Sequence, residues 1–493
     1  MRILYIDIDS MRPDHFGCYG YHRNTSPTID AIAAEGVRFD NCYTPDAPCL
    51  PSRTAFYTGR FGIHTGVVGH GGSAADPWID GPTRGFRNSI EETCLPRKLQ
   101  LGGYHTAQIS PFGQRHAAHH FYAGFNEIHN TGEGGMESAE TVTPVVMKWL
   151  QDNAAKDNWY LHINYWDPHT PYRTPADYAN HFEDDPLPEW ITDEVFETHL
   201  KAVGPHTARE IMMYTDEPDP KYPKHLGGIT DRAGLRQVID GYDNGVRYVD
   251  DQVSMIVESL KSQGLYDDTV IVISGDHGEN LGELGIYGEH GTADNITCRV
   301  PMIVKWPGMA KGASNAGLRY NLDWAPTLCE LLGIEDSDNW DGQSYAEAVR
   351  SGEDAGHEQL VISQCCHVCQ RSVRWGPWLY MRTYHCGFHL FPQEMLYNLE
   401  EDPHEQVNLA EAHPELCREG AYRLMAWHDE AMQTSDSNVD PLWTVMKEGG
   451  PFHANSIMMQ DTLQGYFDHL RKTGRADGVE EIKERYPELR ELD

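Results

Sequence analysis

The sequence of 493 residues has no long hydrophobic run and is poor in basic residues. No apolar stretch approaches the ~20 residues that a membrane-spanning helix requires, so we expect no transmembrane segment. There are 39 Lys and Arg against 75 Asp and Glu, which gives a formal charge of −36. Nucleic-acid binding depends largely on neutralising phosphates, and this charge balance therefore argues against a nucleic-acid partner.

The first residues also lack the features of a secretory signal. They contain neither an apolar core nor a small-residue cleavage site, and a regular strand pattern begins at Ile3. The eleven cysteines are an odd number without framework spacing, which favours a reducing compartment over a disulfide-bonded exterior. We therefore expect a cytoplasmic protein with no membrane partner.

Two common motif types are missing as well. No glycine-rich phosphate loop of the P-loop or dinucleotide type is present. The run Cys365-Cys366-His367-Val368-Cys369 could suggest zinc, but no second Cys-x-x-Cys pair lies at ligand spacing, and a closed zinc site needs four ligands. We interpret this run as the rim of a small sheet, from which His367 and Arg371 could reach a substrate.

Three apolar runs typical of buried strands are each followed by polar residues. The runs cover residues 3–8, 160–165 and 269–274. In open α/β sheets, ligands gather beyond the carboxyl ends of the strands, so the pattern predicts one shared site. The acidic and imidazole side chains that follow these runs include Asp9, Asp167, His169, Asp276 and His277.

The remaining pattern predicts the domain organisation. Residues 26–36 and 248–260 have helical periodicity or helix end signals. Residues 176–230, rich in Pro, Asp, Glu and His, resemble an insertion that forms a lid or a subunit contact. We expect an α/β catalytic domain over residues 1–355, with a sheet between helices. Short strand-like runs then predict a C-terminal subdomain over residues 356–493 that contains a small antiparallel sheet.

The segment Cys49-Leu50-Pro51-Ser52-Arg53 carries the strongest chemical signal. On the residues alone, a cysteine at a helix start beside Arg53 would have a lowered thiol pKa, and an inert buried cysteine is the equal alternative. The segment, followed by Thr58-Gly59-Arg60, resembles the modification signature of type I sulfatases. In that family the cysteine is oxidised to formylglycine before folding. The resemblance therefore implies a formylglycine-generating enzyme as a maturation partner.

The resemblance continues along most of the chain, and the order of the blocks is more specific than any single block. It implies the alkaline-phosphatase-like fold, a mixed sheet sandwiched by helices with a smaller C-terminal subdomain. Further similar blocks are Gly36-Val37-Arg38-Phe39, Pro168-His169-Thr170-Pro171-Tyr172, Gly275-Asp276-His277-Gly278-Glu279 and Asp323-Trp324-Ala325-Pro326-Thr327-Leu328.

The family's metal site, carried over to this sequence, consists of Asp9, Asp276, His277 and the modified Cys49. Carboxylates and a diol oxygen suit a hard cation, so Ca²⁺ is the first choice, while the His ligand also admits Mn²⁺ or Zn²⁺. The hydrated aldehyde would attack sulfur and then expel sulfate, and Arg53 would stabilise this nucleophile. His169 and His290 are the general-acid candidates, because imidazole titrates near neutral pH and can protonate a leaving alkoxide.

Two departures from the family pattern affect this site. Most sulfatases have two consecutive Asp where this chain has Asp9-Ser10, and Asp7 on the same strand face could substitute for the missing carboxylate. Many sulfatases also have Gly-Lys-x-His after the position of Ala107, whereas the Lys is absent here. Arg115 or His116 could supply the missing positive charge.

These departures leave three functions open. The first is hydrolysis of a sulfate ester of a sugar or another small organic molecule. The lone Asp also resembles phosphonate monoester hydrolases and choline-sulfatase-like enzymes, so hydrolysis of a phosphonate monoester or phosphodiester at the same residues is the alternative. A catalytically inactive binding protein is the third. The charge of −36 favours a small anionic ester over a long polyanion, and a homo-oligomer remains open.

Overall fold

The computed structural model describes residues 1–78, 89–337, 339–451, 457–490 and 492. The strands in chain order are β1 (Arg2–Ile8), β2 (Val37–Tyr43), β3 (Asp46–Ala47), β4 (His105–Ile109), β5 (Glu127–His129), β6 (Trp159–Tyr165), β7 (Thr269–Ser274), β8 (Asn280–Leu281), β9 (Tyr287–Glu289), β10 (Arg299–Lys305), β11 (Ala313–Tyr320), β12 (Gln359–Gln364), β13 (Cys369–Trp375), β14 (Trp378–His385) and β15 (Glu394–Asn398).

The helices alternate with the strands in the first two thirds of the chain. They are α1 (Pro27–Ala34), α2 (Cys49–Thr58), α3 (Gly62–Thr65), α4 (Ser89–Thr93), α5 (Leu95–Leu101), α6 (Phe112–Arg115), α7 (Ala139–Asn153), α8 (Asp193–His199), α9 (Arg232–Ser262), α10 (Asn295–Cys298), α11 (Trp324–Leu332), α12 (Ala346–Ser351), α13 (Pro414–Thr434), α14 (Pro441–Lys447), α15 (Ile457–Lys472) and α16 (Ala476–Arg485).

Eight strands form one mixed sheet in the order β11-β2-β10-β7-β1-β6-β4-β5. Strand β10 is antiparallel to both neighbours, and the other neighbouring pairs are parallel. The central strands β1, β6 and β7 are buried along nearly their whole length, as expected for parallel strands with helices on both faces. The predicted α/β fold and the three predicted strands are confirmed.

The two faces of β1 explain where the acidic side chains lie. Leu4 and Ile6 pack into the core that contains α1, α7 and α9, whereas Ile3 and Tyr5 belong to the core with α2, α5 and α11. Successive strand residues alternate between faces, so Asp7 continues the face of Ile3 and Tyr5. The sheet thus presents this carboxylate to α2.

A second sheet, in the order β15-β14-β13-β12-β3, is the predicted small antiparallel sheet with one addition. Its edge strand β3 comes from the N-terminal part of the chain and pairs in parallel with β12, with Ala47 opposite Gln364. Helix α13 packs against this sheet through Cys417 and Leu424. The C-terminal sheet is therefore hydrogen-bonded to the segment that directly precedes Cys49.

The segment over residues 176–230 contains one helix, α8, and is tied to the C-terminal helices. The backbone N–H of Gly204 donates to the Tyr466 hydroxyl at 2.7 Å, and the Arg475 guanidinium pairs with the buried Glu210. Its role as a lid or a subunit contact stays a prediction. Within the described residues, no helix is both long and apolar enough to cross a bilayer.

Candidate active site

The register of the central sheet brings two acidic residues together. Asp7 on β1 lies opposite Ser274 on β7 in a parallel pair, so Asp9 and Asp276 follow at the same end of the sheet. The backbone N–H of Ser10 donates to Oδ1 of Asp276 at 3.2 Å, which ties the two strand ends to each other. The structure therefore brings together the side chains that follow β1 and β7, at the carboxyl ends of these two strands.

Helix α2 delivers the cysteine and the arginine of the motif to this edge. Cys49 is its first residue, and Arg53 is four residues later, so both point from one helical face. The Ser52 hydroxyl donates to the carbonyl oxygen of Asp276 at 2.6 Å and holds the helix against the loop after β7. Both motif side chains are buried.

The Arg53 guanidinium contacts three carboxylates. Its Nε lies 2.8 Å from Oδ2 of Asp7, and its Nη1 lies 2.9 Å from Oδ2 of Asp9 and 2.5 Å from Oδ2 of Asp276. When all three carboxylates are ionised, three buried negative charges face one positive charge. Since buried charges need compensation, this excess of negative charge fits a site for a cation.

Four predicted ligands form one compact group. Asp9, Cys49, Asp276 and His277 are all buried, and each offers an atom within 4.8 Å of the others. The Cys49 Sγ lies 3.0 Å from Nε2 of His277. Nδ1 of His277 lies 2.8 Å from the carbonyl oxygen of Gly278, so Nδ1 carries the proton and the Nε2 lone pair faces the group. This donor set fits a divalent cation.

Asp7 does not join this group of ligand atoms. Its Oδ2 contacts Arg53, and Nε2 of His162 approaches the same oxygen at 3.5 Å. Ser10 occupies the position of the second family carboxylate, and its hydroxyl donates to Oδ1 of Asp9 at 3.1 Å. Asp7 is thus placed to hold Arg53 rather than to replace the missing ligand.

The Cys49 thiol is not an activated thiol in this environment, contrary to the expectation from the helix start and Arg53. Burial raises its pKa well above the ordinary value, and the charges of Asp9 and Asp276 add to that effect. The positive charges of Arg53 and Arg115 oppose the shift without overcoming it. An unmodified Cys49 therefore stays a neutral thiol near pH 7.

The two candidate acids lie against the ligand group. Nε2 of His169 is 3.9 Å from Oδ1 of Asp9, and the His290 ring stacks on His277 with centroids 4.0 Å apart. Nε2 of His290 lies 3.1 Å from Oε1 of Glu289, while its buried Nδ1 has no hydrogen-bond partner among the described residues. Burial lowers the pKa of His169 to about 4. This imidazole is therefore neutral at pH 7.

Arg115 and His116, the two candidates for the missing positive charge, have different environments in the structure. The Arg115 guanidinium lies over the Trp166 ring, 5.0 Å from its centroid, and its charge acts on both Cys49 and His169. His116 packs against Phe112, and burial, with Arg115 adding, lowers its pKa to about 3. His116 is therefore neutral at pH 7, and of the two only Arg115 offers a permanent charge.

The other two predicted substrate contacts have different surroundings. His367 lies beside the site, with its ring 5.7 Å from that of His290. Arg371 makes a bidentate ion pair with Asp440 at 2.6 and 2.8 Å. This pair joins β13 to the start of α14, and both partners are buried. Arg371 therefore has a structural role in the C-terminal subdomain.

Three further residues near the site were not found from the sequence. His70 accepts a hydrogen bond from the backbone N–H of Leu50 at 3.2 Å, directly after Cys49. Glu289 contacts both His290 and His206. Glu289 directly precedes a candidate acid, and this adjacency was the only signal. His70 and His206 are isolated histidines whose positions depend on tertiary folding.

Comparison with known proteins gives two family matches. The family described as "Sulfatase" matches residues 2–334. The family described as "N-sulphoglucosamine sulphohydrolase, C-terminal" matches residues 282–419. The first match covers the main sheet and all four predicted metal ligands.

Individual relatives extend the similarity over nearly the whole chain. A choline-sulfatase of Rhizobium meliloti (strain 1021) is 28% identical, and the match covers 94% of each chain. A solved structure in complex with its substrate D-glucosamine-2-N,6-O-disulfate has a TM-score of 0.68 at 18% identity, covering 88% of this chain and 98% of that chain. The phosphonate monoester hydrolase of Agrobacterium radiobacter has a TM-score of 0.66 at 18% identity, covering 87% and 96%. These structures share the fold.

Proposed function

The chain belongs to the sulfatase family, and from this premise we propose that it hydrolyses the sulfate ester of a sugar or another small organic molecule at Cys49, after conversion of that residue to formylglycine. The observation that supports the proposal most directly is the buried group of Asp9, Cys49, Asp276 and His277, with Arg53 joined to both carboxylates. The Sγ atom of Cys49 stands for an oxygen of the formylglycine hydrate, which would occupy the same position.

The cation in this proposal is Ca²⁺, with Mn²⁺ or Zn²⁺ as alternatives. Two carboxylates and a hydroxyl oxygen are hard donors, and His277 adds one nitrogen. A divalent cation bound here would favour the ionised nucleophile and offset the charge on the transferred group. Three carboxylates contact the single positive charge of Arg53, so a bound cation would reduce the net negative charge of the site.

Substrate binding and nucleophilic attack are assigned to residues of the protein itself. Arg53 uses Nε and Nη1 for carboxylates, while its buried Nη2 has no partner among the described residues. That N–H group is available to a sulfate oxygen. A formylglycine hydrate at position 49 would supply two geminal hydroxyls, one as the nucleophile towards sulfur and one whose deprotonation would release sulfate by C–O cleavage.

Proton transfer is assigned to His290 and His169. Oε1 of Glu289 lies 3.1 Å from Nε2 of His290, while Nδ1 of this ring has no hydrogen-bond partner among the described residues and is proposed to carry the transferred proton. The Nδ1–H of His169 donates to the carbonyl oxygen of Thr170, so its Nε2 faces Asp9 as an acceptor. An anionic ester bound here would raise the pKa of either imidazole and let it protonate the leaving oxygen.

The substrate is proposed to be small because the protein as a whole repels anions. A net charge of −36 opposes long-range capture of a polyanion. Near the site, the positive charges of Arg53 and Arg115 act at short range.

We also propose a cytoplasmic location, in keeping with eleven cysteines that are all free thiols in the structure.

A phosphonate monoester or phosphodiester hydrolase is the second candidate. The specific observation in its favour is Ser10, which takes the place of a second carboxylate beside Asp9. Sulfate and phosphate esters are both tetrahedral anions, and the same cations can serve either. The fold is also shared with a phosphonate monoester hydrolase.

Three measurements test the proposal. Peptide mass spectrometry of protein from the native host should find formylglycine at position 49, and Cys49→Ala should lose nearly all activity, whereas Cys42→Ala at another buried cysteine should keep it. Parallel rates on an aryl sulfate, a phosphonate monoester and a phosphodiester should then favour the sulfate. A phosphonate preference of several orders of magnitude, or an active enzyme with only unmodified Cys49, would overturn the assignment.

A further inference from the structure

A second group of metal-ligating side chains lies outside the site described above. It consists of His206, Glu289 and His367, here called the second cluster. His206 comes from the segment over residues 176–230, Glu289 ends β9, and His367 lies between β12 and β13. Glu289 and His367 are buried and His206 is half-buried. Folding thus brings together three ligand-type side chains from three distant parts of the chain.

The spacing of the second cluster matches one metal ion. Nε2 of His206 lies 3.2 Å from Oε2 of Glu289, and Nε2 of His367 lies 3.5 Å from Oε1. All three ligand atoms lie within 4.8 Å of one another. Bonds of about 2.0–2.1 Å in a tetrahedral site separate neighbouring donor atoms by about 3.3 Å, which is close to these distances.

The hydrogen bonding of His206 matches that of a metal-ligating histidine. Nδ1 of His206 lies 2.8 Å from the carbonyl oxygen of Ile211. A carbonyl oxygen only accepts, so Nδ1 donates this hydrogen bond, and Nε2 is the ring nitrogen that faces Glu289, 3.2 Å from Oε2. Metal-ligating histidines donate their other N–H to a backbone carbonyl in the same way.

Glu289 is suited to the role of anionic ligand. Its carboxylate is buried, with Oε2 facing Nε2 of His206 and Oε1 facing Nε2 of His367. The backbone N–H of His290 also donates to Oε1 at 2.9 Å. An ionised carboxylate with two imidazoles is a donor set that borderline-soft cations prefer.

We propose that the second cluster binds one divalent transition-metal ion, Zn²⁺ in the first place, through Nε2 of His206, Nε2 of His367 and the carboxylate of Glu289. Three protein ligands leave a coordination position open to water or to an anionic ligand. The Cys-rich run around His367 contributes only this histidine to the cluster. Binding of the ion does not require formylglycine or sulfatase activity.

The second cluster lies next to the reaction centre. Glu289 contacts His290 at 3.1 Å, and His290 stacks on His277. The sequence lacks the Lys that many sulfatases have after the position of Ala107. A cation held by Glu289 would add positive charge on the His290 side of the site, where an anionic ester needs it.

The test isolates the second cluster by removing the first site. The full-length Cys49→Ala/Asp9→Asn chain is treated with a chelator and titrated with Zn²⁺ alone by calorimetry, with metal content measured after dialysis. We expect one tightly bound Zn²⁺ per chain. Adding Glu289→Gln or, separately, His206→Gln should weaken binding at least about tenfold. Adding His64→Gln, which alters a buried histidine paired with Asp341, should leave binding unchanged.

Co²⁺ serves as the spectroscopic probe that separates the second cluster from adventitious cysteine sites. Nitrogen and oxygen ligands give visible ligand-field bands without the intense near-ultraviolet charge-transfer band of cobalt thiolate. Melting curves show whether a variant that loses metal binding is still folded. His206→Gln changes a half-buried residue and is therefore less disruptive than Glu289→Gln. Thiolate bands, or equal Zn²⁺ binding with and without Glu289→Gln, would overturn the proposal, and so would no tight binding at all. None of these results bears on sulfatase activity at position 49.

Discussion

Nη1 of Arg53 lies 2.5 Å from Oδ2 of Asp276, and the same nitrogen contacts Asp9 at 2.9 Å. One guanidinium therefore links the carboxylates that follow two different strands. The planar group fixes several directions at once, whereas an ammonium group is a compact point charge on a flexible chain. Arg53 thus positions the two acidic ligands and keeps Nη2 available for substrate.

We expect Arg53→Lys to lower kcat/KM for an aryl sulfate by about 10²–10³, the cost typical of losing one preorganised donor to a transition-state oxyanion. Lys retains the charge but cannot contact Asp7, Asp9 and a sulfate oxygen simultaneously. Steady-state kinetics on formylglycine-containing protein would measure the loss.

The matched control is Arg371→Lys, at a buried arginine outside the ligand group. Its bidentate pair with Asp440 lies in the C-terminal subdomain, so the variant should lose about 1–3 kcal/mol of stability. Its kcat/KM, measured below its melting temperature, should stay near the wild-type value. Equal kinetic losses in both variants would contradict the assigned role of Arg53.

Gly278→Ala should destabilise the protein by about 1–3 kcal/mol through overpacking. A Cβ atom at Gly278 would lie 2.1 Å from the carbonyl oxygen of Ile296, which is backbone and cannot swing away. The backbone N–H of the glycine also donates to Thr297 at 2.8 Å, so the two segments must stay close. Chemical denaturation would measure the change in the free energy of unfolding.

Gly465→Ala is the paired substitution for that experiment. Gly465 lies inside α15, and a Cβ there meets no atom within 4 Å. Removing glycine flexibility from a helix interior should stabilise the protein by about 0.5–1 kcal/mol. The two Gly→Ala changes should therefore have opposite signs, and a stabilising Gly278→Ala would contradict the close packing.

Much of the site could be predicted because its signals are local. The strand runs before Asp9 and Asp276 and the motif from Cys49 to Arg53 lie in short stretches of sequence, and parallel strands place their carboxyl ends together. The lowered thiol pKa was wrong, because the local pattern shows the helix start and Arg53 but not the burial and the two carboxylates. Burial and the two carboxylates raise the pKa of Cys49 by more than Arg53 and Arg115 lower it.

The remaining features depend on contacts between distant segments. Arg371 pairs with Asp440, 69 residues later, and nothing in the strand pattern of β13 distinguishes this from a substrate contact. Strand β3 has only two residues, too few for a periodic signal, and its pairing with β12 arises from tertiary packing. His206 likewise joins Glu289 only because the segment over residues 176–230 folds back on β9.

The His64–Asp341 pair predicts a pH dependence of stability. Burial works against the charged imidazole, but the hydrogen bond and charge of Asp341, 2.7 Å from Nδ1, raise the pKa of His64. A raised folded-state pKa contributes stability fully below the unfolded value of about 6.5, and this contribution is lost as pH rises through the folded value.

Wild-type stability should therefore fall more steeply above pH 6.5 than that of His64→Gln. Urea unfolding at intervals between pH 6 and pH 8.5 would measure the difference, which isolates His64 from the other histidines. His22 is exposed, and its ring contacts the carbonyl oxygen of Pro186 and the Tyr21 ring; His22→Gln is the control variant. Parallel curves for wild type and His64→Gln would exclude the pair as the cause.

Asp7, within β1, and Asp9, just after β1, are expected to have different roles at the site. Asp9 belongs to the compact ligand group, whereas Asp7 contacts Arg53 and His162 outside it. Asp9→Asn should therefore weaken divalent-cation binding at least about tenfold and abolish most activity. Asp7→Asn should retain the cation and reduce kcat, because Arg53 loses the oxygen that fixes its Nε.

Cation titration of chelator-treated protein, with the second cluster removed by Glu289→Gln in every sample, would make the comparison. Both substitutions remove one buried negative charge near Arg53, so a purely electrostatic effect would weaken cation binding to a similar extent in each. Direct ligation instead predicts a large loss for Asp9 alone. A loss of cation at Asp7→Asn with normal binding at Asp9→Asn would transfer the ligand role to Asp7 and reverse the assignment.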